Sequence, residues 1–415
     1  MTHSAGLASH IDQNRLWSRH MVLAEFGATV GGGVNRQALS VEEIAARKQL
    51  IAWARAINLE PFSDNIGNLF LRYPGTDADL PAVLSGSHID SQPTGGKFDG
   101  AYGVLAALEA VHAMHDAGFR PRRSIEVVAW NNEEGSRFAP GMMGSVLFRG
   151  HRKLEDMLAI TDAEGISVRD CIAQLHAAEP DIALRQLGFE VAAFVEAHIE
   201  QGPILEMRNH TIGVVSGIQG KRVFHVCVTG EENHAGTSPR SMRKDALLAT
   251  VNILAALHAE MHDEQDIVKF TVGRLDVTPN APSVVPAKTY FTIDLRHPDS
   301  TMLNELGDRI APICAAMCGP CDVEVRELSN DPPLDFVDEI GAVVRASAAA
   351  LGISHMDMPS AAGHDARHLH YICPTGMIFV PCAQGISHNE AESAEPADLY
   401  DGARVLVETL ARLAQ

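Results

Sequence analysis

The sequence predicts an α/β protein of two domains: a mainly parallel-sheet domain interrupted by an inserted α+β domain of the ferredoxin-like kind. Three observations point there. The chain has 415 residues, more than one hydrophobic core usually organises. Its first part alternates short apolar runs with an Ala/Leu-rich helical stretch, the order of a βαβ unit. Its middle part changes character near residue 214 and reads strand, helix, strand, strand, helix, strand.

The elements follow in order. Ser40 opens a helix to Ile57, because a serine cap precedes Val41-Glu42-Glu43 and apolar residues then recur at helical spacing. Leu80–Ser85 and the β-branched run Ser124–Trp130 are strands, with the helix Gly103–Ala117 between them. Val214–Thr229 is strand-like and Ser241–His262 a long helix. Strands at Ile267–Val277 and Thr289–Leu295, a helix at Thr301–Met317 and a strand at Asp322–Leu328 complete the insertion. Beyond Leu334 come a helix (Ile340–Leu351), an apolar strand (Gly376–Val380) and a last helix (Ala397–Leu413). This assigns residues 1–213 and 330–415 to the main domain and 214–329 to the insertion.

Composition narrows the function. With 46% hydrophobic and 21% charged residues the chain is of ordinary globular type. Lys plus Arg number 33 against 53 Asp plus Glu, a net charge of −20, and that field repels nucleic acid and anionic membranes. Met1–Asn14 is polar, without the apolar run of a signal peptide, and no stretch reaches the roughly 20 apolar residues of a membrane span. Seven cysteines are too few, and odd in number, for a disulfide framework. A cytoplasmic location is expected.

The residues that carry chemistry stand where apolar strands give way to loops, the place where open α/β sheets bind ligands. His88 and Asp90 follow the first strand. Asp99 lies in GGKFDGAYG, Glu133 and Glu134 in NNEEGSRF, His198 in EAHIEQG and His388 in GISHNEAE. Imidazole and carboxylate together suit Zn, Mn, Co or Ni, and a carboxylate between two metals bridges them while they share a water. Adjacent Glu133 and Glu134 divide most economically into one ligand and one general base. A lone loop His or Asp is ordinarily a turn residue, and the chain has 20 histidines. The repeated Gly- or acid-flanked context lifts this set above coincidence.

The strings GSHIDSQPTGGKFDGAYGVLAALE, NNEEGSRF, EAHIEQGPILE, NHAGTSP and GISHNEAE resemble those of the hydantoinase/carbamoylase family of amidases. That family includes N-carbamoyl-L-amino-acid hydrolases, β-ureidopropionases, allantoate amidohydrolases and ureidoglycolate hydrolases, within the aminoacylase and glutamate-carboxypeptidase clan. The likeness runs from about Arg15 to the last helix. It implies two divalent metal ions per subunit: His88, Asp99 and His198 hold one, and Asp99, Glu134 and His388 the other. It implies that Asp90 orients His88 and that Glu133 is the general base. The insertion becomes a lid and homodimerisation domain. In it His234 acts on the oxyanion side, reaching into the partner's site, and Arg296 in DLRHPD grips the substrate's carboxylate with its fork. Gln201 and the GHDA stretch (Gly363, His364, Asp365) fall at positions resembling substrate contacts. The implied reaction is hydrolysis of the C–N bond of an N-carbamoyl amino acid or related ureido acid. The alternative is an amidase or peptidase-like activity on an N-acyl amino acid or short peptide.

One segment departs from the family pattern. PNAPSVVP places Ser283 where relatives carry a substrate-contacting Asn, losing the amide's paired donor and acceptor, and Asn280 stands three residues earlier. Bland readings exist beside these roles: Arg296 as a surface ion pair, His364 as a loop residue. Cys314, Cys318 and Cys321 have cluster-like spacing but read as small buried residues. His258 and His262 read as an exposed helix face. His368 and His370 lie outside any family-like string. A non-catalytic protein on the same scaffold would have lost a ligand or the base, whereas all six are present.

Overall fold

The computed structural model describes residues 6–415, leaving Met1–Ala5 of the polar N-terminal stretch outside the description. The chain forms two compact units, Met1–Gly217 with Phe336–Gln415 and Ile218–Asp335. No helix among the described residues is long and apolar enough to cross a membrane.

The first unit is built on a large mixed sheet. Four parallel strands form its centre: β1 (Ala82–His88), β2 (Ile125–Trp130), β3 (Val191–Ile199) and β4 (Thr375–Val380), in the spatial order β4-β3-β1-β2. β1, β2 and β4 are buried along their whole length, which is why their sequences are nearly continuous apolar runs. The sheet is mixed rather than mainly parallel. Leu69–Tyr73 pairs antiparallel with β2, Glu60–Ser63 pairs antiparallel with Leu69–Tyr73, and Ile212–Ile218 pairs antiparallel with β4. The hairpin of Glu60–Ser63 and Leu69–Tyr73 is closed by Asp64, whose Oδ1 accepts from the Ile66 and Asn68 amides at 3.1 and 3.0 Å. A short Asx turn of this sort joins antiparallel strands, whereas parallel ones need a long crossover.

Helix α1 (Ala101–Asp116) lies against the central strands and is buried almost all round. It approaches closely because position 103 is glycine: a Cβ there would stand 2.3 Å from the Ala197 carbonyl oxygen and 2.7 Å from the Ser87 Cβ. Helix α2 (Pro396–Leu413) starts with proline, whose fixed φ suits a first turn. The buried Tyr102 hydroxyl on α1 donates to the Leu399 carbonyl at 3.1 Å, tying the two helices.

The second unit runs Gly220–Thr229, helix Ala246–Glu260, Lys269–Thr278, Lys288–His297, helix Ser300–Met317 and Asp322–Asp331. Its four strands are antiparallel, with the first and third central and the second and fourth at the edges, the ferredoxin-like arrangement. Alternate residues Phe224, Val226, Val228, Phe291, Ile293 and Leu295 point into one core with Ile253, Leu257, Leu303 and Ile310 of the helices. Asp245 and Asp299 cap the two helices by accepting from the Leu248 and Met302 amides.

Candidate metal centre

The carboxyl ends of the parallel strands lie side by side. His88 is the last residue of β1 and is paired in register with Trp130, and His198 on β3 is paired with Phe379 on β4. The loops that leave these ends bring together Asp99, Glu133, Glu134 and His388.

Asp99 is the middle of the cluster. Its Oδ1 lies 3.7 Å from His88 Nε2 and 3.3 Å from His198 Nε2, and its Oδ2 lies 3.3 Å from His388 Nε2. His388 Nε2 is also 3.5 Å from Glu134 Oε2. Two triads result, His88–Asp99–His198 and Asp99–Glu134–His388, each with ligand-type atoms within 4.8 Å of one another. Glu133 stands beside them, its Oε2 3.6 Å from His88 Nε2.

A further layer holds this set in place. His88 Nδ1 faces the Asp90 carbonyl and His198 Nδ1 the Ile199 carbonyl, both at 2.9 Å, so each ring turns its Nε2 inward. The Gly100 amide nitrogen lies 3.1 Å from His198 Nε2. The Asp90 carboxylate is 3.5 Å from His88 and spends its oxygens on the Glu133 and Glu134 amides, at 3.2 and 3.1 Å. Asp90 thus meets His88 through its backbone and the glutamates through its side chain. Gln92 donates to Glu134 at 2.7 Å. Gln201 donates to Asp99 Oδ2 at 3.0 Å and to Ser387 at 3.1 Å. Glu392 accepts from the Phe98 and Asp99 amides and from Ser387.

The electrostatics fit a cation. Asp90, Asp99, Glu133 and Glu134 crowd one region, and among the described residues their ion pairs are all with imidazoles. Burial opposes a charge on His88, yet Glu133, Asp90 and Asp99 outweigh it and raise its pKa well above the imidazole range. Burial also pushes the Glu133 carboxyl well up, with His88 opposing and Asp365 and Glu134 reinforcing. Hydrogen bonding to Asp99 lifts His388 to about 9. A site that holds protons on imidazoles against burial has the negative field that a divalent ion needs, and its donors are of the kind Zn, Mn, Co or Ni accept. A third triad, Glu196–His198–His364, shares His198 with the first. In it Glu196 accepts from Ser87 and the Ala366 amide, and His364 Nε2 meets Ser360 at 3.0 Å.

Gly100 makes a sharp test of this packing. Its φ is +64°, and a Cβ would lie 2.4 Å from the His88 ring. Left-handed backbone costs a side chain roughly 1–2 kcal/mol, and the ring would be displaced as well. Gly100→Ala is expected to weaken metal binding roughly 10–100-fold, the range for groups that orient ligands, as read by competition with a chelator.

The remaining candidates divide between the units. His364 is buried, its ring edge-on to His198 at 4.6 Å between centroids, and Gly363 packs near Met142. In the second unit, His234 and Ser283 are neighbours: His234 pairs in register with Val284, and the Ala235 amide donates to the Ser283 carbonyl at 3.0 Å. Asn280 has a φ of +57°. Arg296 grips Asp294 at 2.7 and 3.1 Å and stands in one cross-strand row with Lys221 and Lys269. Cys314, Cys318 and Cys321 join no metal-capable group among the described residues. His258 lies edge-on to Phe270.

Sequence reasoning passed over Gln92, Glu196, Ser387 and Glu392. Glu392 lies inside GISHNEAE, so its string was visible though its role was not. Glu196 had one signal, an acid in the middle of the apolar run FVEAHI.

Comparisons with known proteins bear on the family of the chain. Residues 84–412 match the peptidase family M20/M25/M40. An N-carbamoyl-L-amino-acid amidohydrolase of Rhizobium meliloti is 39% identical over 98% of this chain and 97% of its own length. An allantoate amidohydrolase of Escherichia coli is 37% identical over 94% of this chain and 96% of its own. Among solved structures, a hydantoinase/carbamoylase family amidase from Burkholderia multivorans superposes with a TM-score of 0.88 at 40% identity, covering 97% of this chain and 98% of that one. The chain belongs to the M20/M25/M40 metallohydrolase family, in its hydantoinase/carbamoylase amidase branch.

Proposed function

We propose that this amidohydrolase cleaves the C–N bond of an N-carbamoyl amino acid or related ureido acid, releasing ammonia and CO2 or a related product. The observation that carries the reading is Asp99, whose two oxygens face two separate imidazole sets while Glu133 stands beside one of them. His88, Asp99 and His198 would hold one divalent ion and Asp99, Glu134 and His388 a second, Zn or else Mn, Co or Ni. Bound there, the ions would polarise the scissile carbonyl and acidify water. Glu133 takes a proton from the attacking water and delivers it to the leaving nitrogen as the C–N bond breaks.

Recognition of the substrate falls to the second unit and the GHDA stretch. His234 Nδ1 accepts from the Gly236 and Thr237 amides at 3.0 and 3.1 Å. That places the imidazole proton on Nε2, making it the donor an oxyanion requires. Arg296 binds the substrate carboxylate, Gln201, Asn280, Ser283, Gly363 and His364 line the remainder, and the small unit acts as lid. A homodimer through that unit is part of the same proposal.

The test is a metal-reconstituted substrate panel followed by ammonia release: N-carbamoyl amino acids, allantoate, ureidoglycolate, and N-acetyl amino acids and dipeptides as counter-examples. Turnover of the counter-examples alone overturns the ureido assignment. With the substrate found, Arg296→Lys is expected to raise KM roughly 10–100-fold, since one fork-type bond to a carboxylate is lost. An unchanged KM removes Arg296 from the carboxylate site.

A further inference from the structure

We infer that Glu196 is a positioning residue, the joint that fastens the substrate-side segment Gly363–Ala366 to the metal-bearing strands. The inference rests on the proposed contact of Gly363 and His364 with substrate.

Glu196 stands in the middle of β3 and is fully buried. Its Oε1 accepts from the Ser87 hydroxyl at 2.7 Å, one residue before the ligand His88. Its Oε2 accepts from the Ala366 amide at 2.9 Å, two residues after His364. Glu196 itself lies two residues before the ligand His198. One carboxyl thus ties together the ends of β1 and β3 and the segment that follows His355–Ser360.

The segment runs into the short helix Ala366–Leu369, whose Ala366 and Leu369 are fully buried. His364 Nε2 meets Ser360, a neighbour within the same segment. Asp365 is fully buried and accepts from the Ser145 hydroxyl through Oδ1, while its Oδ2 has no hydrogen-bond partner. The His364 ring rests edge-on against the His198 and Phe379 rings. The Glu196–Ala366 bond adds a direct hydrogen bond from the segment to β3. By contrast, His88 and His198 are held by ladder pairing and by the Asp90 and Ile199 carbonyls. Loss of Glu196 therefore frees the substrate segment and leaves the metal ligands where they are.

The chemistry separates two substitutions. In Glu196→Gln the amide oxygen still accepts from Ala366 and the amide nitrogen donates to the Ser87 hydroxyl oxygen, so both ties survive. In Glu196→Ala both are lost, and the Ala366 amide and Ser87 hydroxyl are left buried and unpaired.

The experiment compares parent, Glu196→Gln and Glu196→Ala as full-length metal-loaded enzymes. Amide hydrogen exchange by mass spectrometry should speed up over residues 361–369 in the Ala variant alone, with metal content equal in all three. With whichever panel compound is turned over, kcat/KM should fall roughly 10²-fold in Ala, as for a displacement near 1 Å, and stay within tenfold of parent in Gln. If Ala does not fold, the Gln variant decides: parent-like exchange and kinetics support the joint, and a Gln loss as deep as 10²-fold overturns it. Unchanged exchange in a folded Ala variant, or metal loss there, also overturns it. A parent enzyme active only on counter-examples sinks the ureido reading instead, and the exchange result then decides the role of Glu196 by itself.

Discussion

Asp99→Asn should cost more activity than any other single change in the centre. An amide presents one oxygen and one NH2, so whichever way it turns, one of the two imidazole sets faces a donor in place of an anion. At present Oδ1 serves His88 and His198 while Oδ2 serves His388. Burial alone would raise the Asp99 pKa, but the hydrogen bonds to His198 and His388 and the charges of His198 and His88 hold it well below the usual range. The interactions that do so are the ones the variant gives up. The expected result is loss of at least one metal equivalent per subunit and a fall in turnover beyond the roughly 10⁴-fold upper end for a missing general base. Elemental analysis of the purified variant beside its ammonia-release rate checks it. Full metal content with activity within tenfold of parent would mean that Asp99 is not shared.

Glu133→Gln is expected to show the opposite split. Glu133 lies 3.6 Å from His88 Nε2 but belongs to neither triad, so metal content should match the parent. Turnover should fall roughly 10²–10⁴-fold, the range for removing a general base. Gln keeps the volume and one acceptor, so the fold should be unaffected. The same variant binds substrate without consuming it, and calorimetry on it reports affinity directly. A variant retaining turnover within tenfold would move the base to another residue.

The five ligand candidates were legible in sequence because each stands in a Gly- or acid-flanked loop just past an apolar strand or near its end. His88 and His198 need only strand recognition for their placement, since they stand on paired strands, whereas Glu134 follows β2 in a loop. Asp99 and His388 depend on loop paths that no periodicity encodes. His388 sits at φ +52°, a backbone state chosen by its surroundings rather than by its side chain. The supporting layer was harder to read. Glu392 serves Phe98 and Asp99 across a long sequence gap, and Asp90 works through a carbonyl as well as a carboxylate. The sheet was half legible: continuous apolar runs point to buried parallel strands, but the antiparallel flanks depend on turns such as Asp64–Asn68. Val214–Thr229 reads as one strand-like stretch, yet it breaks at Gln219. Ile212–Ile218 pairs with β4, while Gly220–Thr229 enters the other sheet.

The position of β4 between β3 and Ile212–Ile218 sets a timetable for biosynthesis. Those two neighbours leave the ribosome before the whole second unit, and β4 leaves after it. Until then the edge of β3 and the strand Ile212–Ile218 lack the partner that joins them, and such unpaired edges invite association with other chains. His388, a few residues beyond β4, is delivered later still. A nascent chain can therefore bring His88, Asp99 and His198 together before the second unit is made, whereas His388 reaches Asp99 and Glu134 only after that unit and β4 have emerged.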